Sequence, residues 1–463
     1  MHKFLFFPHN IFIFFKKETK KVKNKNMDSI HSIWSETNKP DQFNPLTGDV
    51  KTNTLIIGGG IAGILCARFL HNAGVDYILA EGDKIGGGIT KNTTAKITSQ
   101  HGLIYHKLLK KAGIEKTGMY LHANQCALNE YRNFCKNIDC DFEDKDAYVY
   151  SLDDEKMIAN EMSALHKMGF KAEFKDKINL PFDIKGAAKF PNQAQFHPLK
   201  FIAGISKGLN IFEHTFVKEI APHTVVTNHG RITSENIIVA THFPFLNKYG
   251  GYYLKMHQHR SYAIALENAA DVDGMYLEEK DNGLSFRNYG SYLIVGGGDH
   301  RTGKKGGNWD ILRDFAAHTY PGSREKYAWA TQDCITLDGV PYIGKYGKSA
   351  EGLYVATGFN KWGMTSSMVS AMILTDMVLD RKNDYAEVFS PQRSMMKGRL
   401  IMNALTAAGN LLSFSMRRCP HMGCALKWNP VERTWDCPCH GSRFENDGTL
   451  IDNPATGALK KRK

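Results

Sequence analysis

The sequence predicts an α/β fold followed by a small C-terminal domain that is rich in cysteine and histidine. Apolar β-branched runs that end in glycine turns and lead into apolar helices occur at residues 54–70 and 352–374. This order of elements is typical of a parallel sheet covered by helices. Four of the nine cysteines and two histidines lie between Cys419 and His440, which indicates a bound metal group. A chain of 463 residues has room for two or three domains.

The net charge of +12 does not indicate a nucleic-acid partner, because the cations are concentrated at the two ends of the chain. Residues 1–26 hold seven lysines against one glutamate, and the last four residues, 460–463, are all basic. The chain between these ends is close to neutral, so no nucleic-acid-binding surface is expected on the folded body.

The first 49 residues, 1–49, are expected to form a largely disordered N-terminal extension. Their opening apolar run is too short to span a bilayer and is interrupted by Pro8, His9 and Asn10. It also lacks the order of charged and small residues that a secretory signal needs. A peripheral membrane anchor at residues 1–26 is the alternative. No other apolar run reaches spanning length, so the sequence predicts a cytoplasmic protein without an integral membrane segment.

The motif TLIIGGGIAGILCARFL, residues 54–70, predicts a dinucleotide-binding site. Gly58, Gly60 and Gly63 follow a buried strand in G-x-G-x-x-G spacing, which allows a tight turn, close approach of a pyrophosphate and close packing of the helix. Glu81 ends the next strand, where a carboxylate accepts hydrogen bonds from a ribose. The alternative is an ordinary glycine turn, but such a turn does not require both the helix that follows and an acidic residue at the end of the next strand. The motif alone does not distinguish NAD from FAD.

Three further segments bear on the identity of the cofactor. They are GDKIGGGITKNTTAKITSQHGLIY at 82–105, NIIVATHFP at 236–244 and GLYVATGFNKWGMTSSMVSAMIL at 352–374. Together with the glycine motif, they resemble the D-amino-acid oxidase and glycine oxidase superfamily of flavoproteins over about residues 54–381. The resemblance implies a glutathione-reductase-like Rossmann domain that binds FAD and an antiparallel substrate sheet that covers it.

The resemblance also divides the flavoprotein part, residues 50–390, into two kinds of segment. It implies FAD-binding parts at 50–140, 186–250 and 331–390. The substrate-domain parts are 141–185 and 251–330, where alternating patterns such as RSYAIALE predict strands. The FAD-binding residues that it implies are Gly58, Gly60, Ile61, Ala62, Gly63, Glu81, Gly88, Ile89, Thr90, Thr94, Ala95, Lys96, Val217, Ala240, Thr241, Gly358, Trp362, Gly363 and Met364.

Lys361, His300 and Arg301 are the candidate catalytic residues. Lys361 lies in the cofactor-binding turn, whereas His300 and Arg301 end a predicted strand, where an arginine can bind a substrate carboxylate. A surface or sheet-end charge is the alternative for these two. Sarcosine-type members carry a lysine where this chain has Met364 and Thr365, so a simple N-methyl amino acid is not the expected substrate. Cys334 is out of register with the cysteine that binds flavin covalently in other members, which implies non-covalent FAD.

The stretch RRCPHMGCALKWNPVERTWDCPCHGSRF, residues 417–444, contains two pairs of possible metal ligands. Cys419 and His421 form the first pair and Cys437 and His440 the second, with 15 residues between the pairs. Two thiolates on one iron and two imidazoles on the other make up a Rieske [2Fe–2S] cluster. Zinc is the alternative for such a set, but zinc sites usually lack the extra cysteines that accompany these pairs.

This stretch resembles the high-potential Rieske proteins. The resemblance implies a small all-β cluster-binding domain at 415–463 after a linker at 391–414, with a disulfide between Cys424 and Cys439. It also implies that the Ser442 hydroxyl hydrogen-bonds to a cluster sulfur. The segment before the cluster loops is too short for the usual supporting sheet, so the loops are expected to lean on the flavoprotein body.

An amine-oxidase-like flavoprotein fused to a C-terminal Rieske domain is a known family of bacterial oxidoreductases, and this chain resembles it almost end to end. The resemblance implies an FAD-dependent enzyme that dehydrogenates the C–N bond of a small amine or amino acid. Electrons would leave through the cluster to a one-electron acceptor, a quinone or a redox protein, rather than to oxygen. The alternatives are an electron carrier without a substrate of its own and a flavoprotein that modifies nucleic acid.

Overall fold

Two large sheets and one small sheet organise the protein. The computed structural model describes residues 30–394, 397–413, 415 and 417–460. In chain order the strands are β1 (Val50–Ile57), β2 (Tyr77–Ala80), β3 (Lys96–Ile97), β4 (Glu143–Ser151), β5 (Glu173–Lys175), β6 (Gly186–Gln195), β7 (Ile211–Phe212), β8 (Val217–Ala221), β9 (Thr224–Thr227), β10 (Arg231–Val239), β11 (Met256–Glu267), β12 (Met275–Glu278), β13 (Ser285–Tyr289), β14 (Tyr292–Arg301), β15 (Arg324–Thr336), β16 (Tyr342–Lys345), β17 (Leu353–Thr357), β18 (Lys427–Asn429), β19 (Thr434–Asp436), β20 (Arg443–Phe444) and β21 (Leu450–Asp452). The helices are α1 (Ile33–Thr37), α2 (Ile61–Asn72), α3 (Tyr105–Cys135), α4 (Glu155–Lys167), α5 (Pro198–Ile205), α6 (Tyr252–Lys255), α7 (Trp309–Thr319), α8 (Gly363–Val378), α9 (Ala386–Phe389) and α10 (Lys397–Leu412), with a 3₁₀ helix at Ile89–Asn92. Within the described residues, none of these helices is both long and apolar enough to cross a membrane.

The first sheet has the predicted parallel α/β topology. The main strand order is β16–β17–β10–β1–β2–β7, in which every pair is parallel except β16 with β17. Strands β8 and β9 extend this sheet from β10 in antiparallel pairs. Leu55, Ile56 and Ile57 of the central strand β1 are all buried, as expected for a strand that is covered on both faces. Because β1, β10 and β17 are parallel neighbours, their carboxyl ends open on one edge of the sheet, where folds of this kind bind ligands.

The second sheet is the predicted antiparallel sheet, and it draws on more of the chain than expected. Its order is β15–β11–β14–β13–β12–β4–β6–β3, with β5 beside β6, and only the β4–β12 pair is parallel. Strands β3 and β6 come from segments that were predicted to belong to the FAD-binding part. The sequence of β6, GAAKFPNQAQ, has no β-branched residue and therefore carries a weak strand signal.

The third sheet confirms the small all-β domain at the C-terminus. It consists of β18, β19, β20 and β21 in antiparallel order and follows helix α10. The domain packs against the second sheet, where the Gln258 side chain donates a hydrogen bond to the His440 carbonyl oxygen at 2.7 Å. Glu432 of the small domain forms an ion pair with Arg260 of β11. The cluster loops therefore lean on the flavoprotein body, as the short preceding segment predicts.

The N-terminal extension is shorter than predicted. Helix α1 begins after Ser32, whose side chain caps it, and Trp34 in this helix is fully buried. The indole N–H of Trp34 donates to the carbonyl oxygen of Thr93 at 2.7 Å. The prediction of disorder throughout 1–49 is therefore wrong for this part, because a five-residue helix is too short to show a periodic pattern. Residues 1–29, which include the possible anchor, lie outside the described residues.

Candidate functional site

The glycine loop between β1 and α2 leaves room for a ligand at the start of the helix. Gly60, the N-cap of α2, has no capping side chain, and although the Ile61 N–H donates to Oγ1 of Thr90 at 3.1 Å, the remaining N–H groups of the first turn can bind an anion. A Cβ atom at Gly63 would lie 1.9 Å from the Gly58 carbonyl oxygen, and one at Gly58 would lie 2.7 Å from that of Ala240. At Gly60 the nearest atom, Thr90 Oγ1, would be 3.6 Å away. The two crowded glycines thus serve packing, and the third leaves space for a pyrophosphate.

Glu81 lies beside this loop at the end of β2. Its carboxylate accepts hydrogen bonds from the N–H of Gly59 at 2.5 Å and from that of Asp83 at 2.8 Å. Burial raises the pKa of Glu81, and these two backbone hydrogen bonds oppose the shift. The carboxylate is therefore held in one orientation next to the glycine loop, as a ribose-binding group requires.

A cavity of about 650 Å³ extends from the glycine loop to the second sheet. The predicted cofactor-binding residues line it, except for Gly63, Ala95 and Gly358. Gly63 packs behind the loop, and Ala95 is buried. A Cβ atom at Gly358 would lie 2.4 Å from Thr336, so that glycine serves packing as well. Sixteen predicted residues line one cavity: Gly58, Gly60, Ile61, Ala62, Glu81, Gly88, Ile89, Thr90, Thr94, Lys96, Val217, Ala240, Thr241, Trp362, Gly363 and Met364.

Residues of the C-terminal domain also line this cavity, which the sequence did not predict. They are Leu450, Ile451, Asp452, Asn453, Ala455 and Thr456. The amide of Asn453 donates hydrogen bonds to the carbonyl oxygens of Thr241, at 2.5 Å, and Phe243, at 2.9 Å, just after β10. The small domain thereby closes one side of the cavity. No local motif marks these residues, because their position depends on how two distant parts of the chain pack together.

Charged side chains gather where the cavity meets the second sheet. Lys361, a predicted catalytic residue, lines the cavity and forms an ion pair with Asp299. Asp333 also lines it and stands opposite His259 in the β11–β15 register. Burial raises the pKa of Asp333 to about 6, and the nearby Lys361 opposes this shift. Burial lowers the pKa of His259 to about 4, so this imidazole is neutral at pH 7.

The other two predicted catalytic residues do not line the cavity. The Arg301 guanidinium donates to the carbonyl oxygens of Pro438 and Cys439, at 3.2 and 3.3 Å, and to Oδ1 of Asn403 at 2.9 Å. The His300 ring stacks on Tyr262 instead. Their placement differs from the prediction because the end of β14 contacts the C-terminal domain. Arg301 thus binds the second cluster loop, which runs from Cys437 to His440, and not a substrate.

The four predicted cluster ligands come together between two loops of the small domain, the first cluster loop with Cys419 and His421 and the second with Cys437 and His440. The thiols of Cys419 and Cys437 are buried, and the rings of His421 and His440 lie 4.9 Å apart, centroid to centroid. The Nδ1 atoms of both imidazoles are buried without a hydrogen-bond partner among the described residues. Burial lowers the pKa of His421 to about 4 and that of His440 to about 3. Two neutral imidazoles with unpartnered Nδ1 atoms and two buried thiols fit a mixed Cys/His [2Fe–2S] cluster.

A disulfide joins the two cluster loops. Cys424 and Cys439 are bonded to each other, as the resemblance to Rieske proteins implies. Their sulfur atoms and that of Cys437 lie within 4.8 Å of one another, but the disulfide leaves only Cys437 of the three as a thiol. The Ser442 hydroxyl lies near the ligands and is a cause of the lowered pKa of Cys419, after the larger effect of Cys437.

Buried polar side chains fix the second cluster loop on the second sheet. Besides its bond to His440, Nε2 of Gln258 donates to the carbonyl oxygen of Asn453 at 3.1 Å. Nε2 of Gln332 donates to the carbonyl oxygen of Gly441 at 2.9 Å and to Oε1 of Gln258 at 2.8 Å. These bonds satisfy buried groups on both sides of the contact, which defines a single docking geometry.

A buried group of charges reinforces this contact. Arg260 and Arg443 both pair with Glu432, and Arg443 also pairs with Asp436 and Asp452. Burial alone would raise the pKa of Glu432, but the two arginines outweigh it and lower the pKa to about 2. The network crosses from β11 into the small domain and is therefore part of what holds the two together.

Comparisons with known proteins match both parts of the chain. The family model described as FAD dependent oxidoreductase matches residues 53–377, and that described as Rieske [2Fe-2S] domain matches residues 381–463. The chain is 32% identical to the Rieske 2Fe-2S iron-sulfur protein YhfW of Bacillus subtilis (strain 168), across 93% of this chain and 97% of that protein.

Solved structures share the fold of the larger part. Glycine oxidase from Geobacillus kaustophilus superposes with a TM-score of 0.63 at 16% identity, over 75% of this chain and 100% of that one. L-proline dehydrogenase from P. horikoshii also gives a TM-score of 0.63, at 17% identity over 75% of this chain and 98% of that one. At these identities, the likeness concerns the fold alone.

Proposed function

Because the chain belongs to the FAD-dependent oxidoreductase family and carries a C-terminal Rieske [2Fe–2S] domain, we propose that it dehydrogenates a C–N bond of a small amine or amino acid. The larger part binds FAD and the small domain binds a [2Fe–2S] cluster. FAD supplies hydride acceptance and single-electron release, and the cluster carries one electron at a time. The electrons then leave the cluster to an external one-electron acceptor, a quinone or a redox protein.

The observation that carries the proposal is that the small domain is part of the cavity wall. Residues of β21 and the turn after it line the same cavity as the glycine loop. On β11 and β15, Ser261 and Asp333 line the cavity, whereas Gln258 and Gln332 bond the second cluster loop. The same two strands therefore contribute side chains both to the cavity and to the contact with the second cluster loop.

The imidazole side of the cluster site faces the flavoprotein body. The His440 side chain is only 2% exposed and lies between the rings of Phe243 and Tyr253. Nε2 of His421 is 2.9 Å from Oδ1 of Asn247, which also belongs to the larger part. This orientation supports an electron path that enters the cluster from within the chain rather than from solvent.

The fold neighbours support the choice of a C–N bond. The two solved structures are named for the oxidation of glycine and of L-proline, and both share the fold that surrounds the cavity here. In this chain, the carboxylates of Asp299 and Asp333 give the same cavity polar groups that suit a nitrogen-containing substrate. The role of FAD as the oxidant of such a bond follows from the family.

The test is anaerobic reduction of the purified, fully loaded protein by a panel of amines and amino acids. We expect at least one compound to bleach the flavin absorbance, and the electron paramagnetic resonance signal of a reduced Rieske cluster to appear afterwards. Bleaching by a reductase but by no amine or amino acid would contradict the proposal and would favour an electron carrier without a substrate of its own.

A further inference from the structure

Asp333 is a carboxylate that faces the cavity without a direct partner. Its side chain forms no hydrogen bond or ion pair with any described residue, although it lines the cavity. The nearest cations are already engaged, since Lys361 pairs with Asp299 and Arg260 is held by Glu432. A carboxylate in such a place loses solvation without gaining a counter-ion, and its raised pKa, about 6, reflects this.

The cavity offers a substrate carboxylate no comparable partner. Among the described residues, no arginine lines it. Arg287 gives its guanidinium to the carbonyl oxygens of Thr94 and Ala95, at 2.9 and 2.8 Å, and Arg301 is held by the second cluster loop. Without a free guanidinium, the bidentate recognition that favours carboxylates is not available.

Three lysines line the cavity. Lys84 lies in the loop after β2, on the side of the glycine loop, and the other two do not replace such an arginine next to the second sheet. Lys361 is neutralised by Asp299. Lys96 donates to the carbonyl oxygen of Tyr276 at 3.0 Å, and burial lowers its pKa to about 7. The part of the cavity next to the second sheet therefore presents one unpaired anion and no unpaired cation among its described side chains.

We propose that Asp333 binds the ammonium group of the substrate, and that the preferred substrates are amines without a carboxylate next to the reacting carbon. This inference rests on the proposed C–N oxidation and narrows its substrate class. In the reaction, the C–H bond gives a hydride equivalent to FAD and the N–H bond gives a proton to Asp333. Water hydrolyses the resulting C=N bond to a carbonyl group, which releases ammonia from a primary amine and opens the ring of a cyclic amine such as pyrrolidine. The two electrons leave singly to the external acceptor.

The test compares matched probes that differ only in the carboxylate. Suitable pairs are benzylamine with phenylglycine, pyrrolidine with proline, and phenethylamine with phenylalanine. Anaerobic flavin bleaching and the binding-induced change of the flavin spectrum are measured for each. We expect the amine of each pair to bind and to reduce the flavin faster than the amino acid.

Variants at Asp333 test the assignment directly. Asp333→Asn should raise the Kd of the best amine by more than about 10-fold, since it removes one partner of a buried charge pair. Asp333→Glu should restore part of the affinity. The control Asp310→Asn, at an exposed position at the start of α7, should change neither Kd nor bleaching. Flavin content and Tm establish that each variant is folded.

The outcomes separate this inference from the function on which it rests. If amino acids bleach the flavin faster than their matched amines, the assignment of Asp333 is wrong and the C–N oxidation stands. An unchanged amine Kd in folded Asp333→Asn would also overturn the assignment. If no probe of either kind bleaches the flavin, the proposed function itself fails.

A second, independent observation concerns the outer face of helix α10. Five of the twelve large apolar side chains that are exposed among the described residues belong to this one helix. The exposed fractions are 58% for Ile401, 65% for Met402, 61% for Leu405, 41% for Leu411 and 88% for Leu412. The inner face carries the amide of Asn403, which donates to the carbonyl oxygens of Leu254 and Met256. The helix therefore turns its apolar face outward, the reverse of an ordinary surface helix.

The charged residues next to α10 in the chain have a single sign. Residues 394–431 contain five lysines and arginines and no aspartate or glutamate. Arg417 and Arg418 follow the helix directly, and the guanidinium of Arg418 donates to the carbonyl oxygens of Leu411 and Gly423. In the sequence, basic residues thus precede and follow the apolar part of the helix, so the surface that covers it should be apolar and anionic.

We infer that α10 docks on an anionic lipid surface. Leucine, isoleucine and methionine on one face and cations at the helix ends are the features of interfacial helices that bind anionic lipid. The backbone N–H of Ala425 donates to the carbonyl oxygen of Asn410, so α10 is attached to the first cluster loop. Docking there places that loop next to the bilayer surface.

Vesicle sedimentation tests this inference on the full chain. The protein should bind vesicles of phosphatidylcholine with phosphatidylglycerol more strongly than vesicles of phosphatidylcholine alone. The double variant Leu405→Glu/Leu412→Glu should lose at least about 10-fold in affinity, since two apolar side chains leave the interface. The matched control Ile114→Glu/Ile311→Glu changes two exposed isoleucines elsewhere and should bind as the wild type does.

A shortened protein that begins at Met27 lacks the basic N-terminal segment. It should still bind the anionic vesicles, and the α10 double variant of it should lose this binding. Binding that is unaffected by the α10 variant, or equal on both kinds of vesicle, would overturn the inference. A wild-type dimer in solution that the α10 variant converts to a monomer would assign the face to a second copy instead.

Discussion

The FAD site and the cluster site differ in which part of the chain forms them. The FAD site depends on the backbone: Gly58 and Gly63 allow strand, turn and helix to pack closely, and Gly60 leaves space for the pyrophosphate. The cluster site depends on side chains, because its donor atoms are thiols and imidazoles on two loops. The first site is therefore lost when a side chain is added, and the second when a side chain is removed.

The two sites also differ in what supports them. The first sheet lies within extensive apolar clusters, whereas the apolar cluster of the small domain consists of Leu426, Phe444, Ala455 and four cysteines. So few apolar residues do not stabilise a domain by burial alone. The small domain instead depends on its cluster, its disulfide and its polar contacts with the second sheet. Its stability is therefore linked to docking, which also sets the distance between the two cofactors.

The largest effect is expected from adding a side chain to the FAD site. Gly60→Val should abolish FAD retention, because the valine occupies the space of the pyrophosphate. The protein itself should fold, since the backbone of Gly60 has φ −69° and no protein atom lies within 3.6 Å of its Cβ position. Flavin absorbance of the purified variant is the measurement.

Gly118→Val is the matched control for this change, because no atom lies within 4 Å of its Cβ position in helix α3. It should keep its full flavin content. A folded Gly60→Val protein that stays yellow would contradict the assignment of the glycine loop.

A large effect on the small domain is expected from Glu432→Gln. The change leaves Arg260 buried without its counter-ion, and loss of one partner of a buried ion pair typically costs about 3–5 kcal/mol. Chemical unfolding, followed by the fluorescence of the tryptophans in β18 and β19, measures the loss. Glu325→Gln breaks the exposed pair with Arg313 and should cost at most about 1 kcal/mol. Equal effects of the two changes would contradict the account of docking.

The same network predicts a loss of stability in acid. The pKa of Glu432 is lowered from 4.5 to about 2 in the folded protein. A carboxyl group with a lowered folded pKa stabilises the fold above its unfolded pKa, and this contribution is lost as the pH falls through the folded pKa. We therefore expect part of the stability to disappear between about pH 4.5 and 2, and this part to be missing in Glu432→Gln. Measuring Tm against pH for the wild type and for Glu432→Gln tests this prediction. Parallel curves for the two proteins would contradict it.

A smaller effect is expected from Gln258→Ala. The change leaves the carbonyl oxygens of His440 and Asn453 without this donor, and buried polar groups without partners typically cost about 1–3 kcal/mol each. Limited proteolysis of the chain between the two parts should be faster than in the wild type. Gln392→Ala, at an exposed position, is the control, and it should leave the cleavage rate unchanged.

The sequence predicts the parts of each site that local patterns encode. The glycine motif, the acidic end of β2 and the spacing of Cys419, His421, Cys437 and His440 are all local, because one turn or one loop requires those residues at those positions. The resemblance that these motifs carry led to the family and both cofactors. The disulfide of the small domain followed from the same resemblance.

The predictions that were wrong or missing concern contacts between distant segments of the chain. Arg301 ends β14 as predicted, but the second cluster loop occupies its guanidinium, and nothing near Arg301 in the sequence indicates this. Asp333 is next to Cys334, which the sequence analysis considered, but the sequence does not single out Asp333. Its place in the cavity follows from the pairing of β15 with β11. Residues after β20 line the cavity only because the small domain docks there.

The central claim is that electrons leave FAD through the cluster of the same chain, and Cys437→Ser tests it most directly. The serine removes a thiolate ligand that a hydroxyl replaces poorly, so the cluster should be absent. In variant protein that keeps its flavin content and its Tm, so that the small domain still closes the cavity, anaerobic rapid mixing with the best amine should reduce the flavin at close to the wild-type rate. Re-oxidation by a one-electron protein acceptor should slow by at least about 10-fold, or about 1.4 kcal/mol of activation free energy. Flavin content, Tm and the control Cys126→Ser establish that the effect is not one of folding. A well-folded Cys437→Ser protein that turns over with this acceptor as fast as the wild type would contradict the claim.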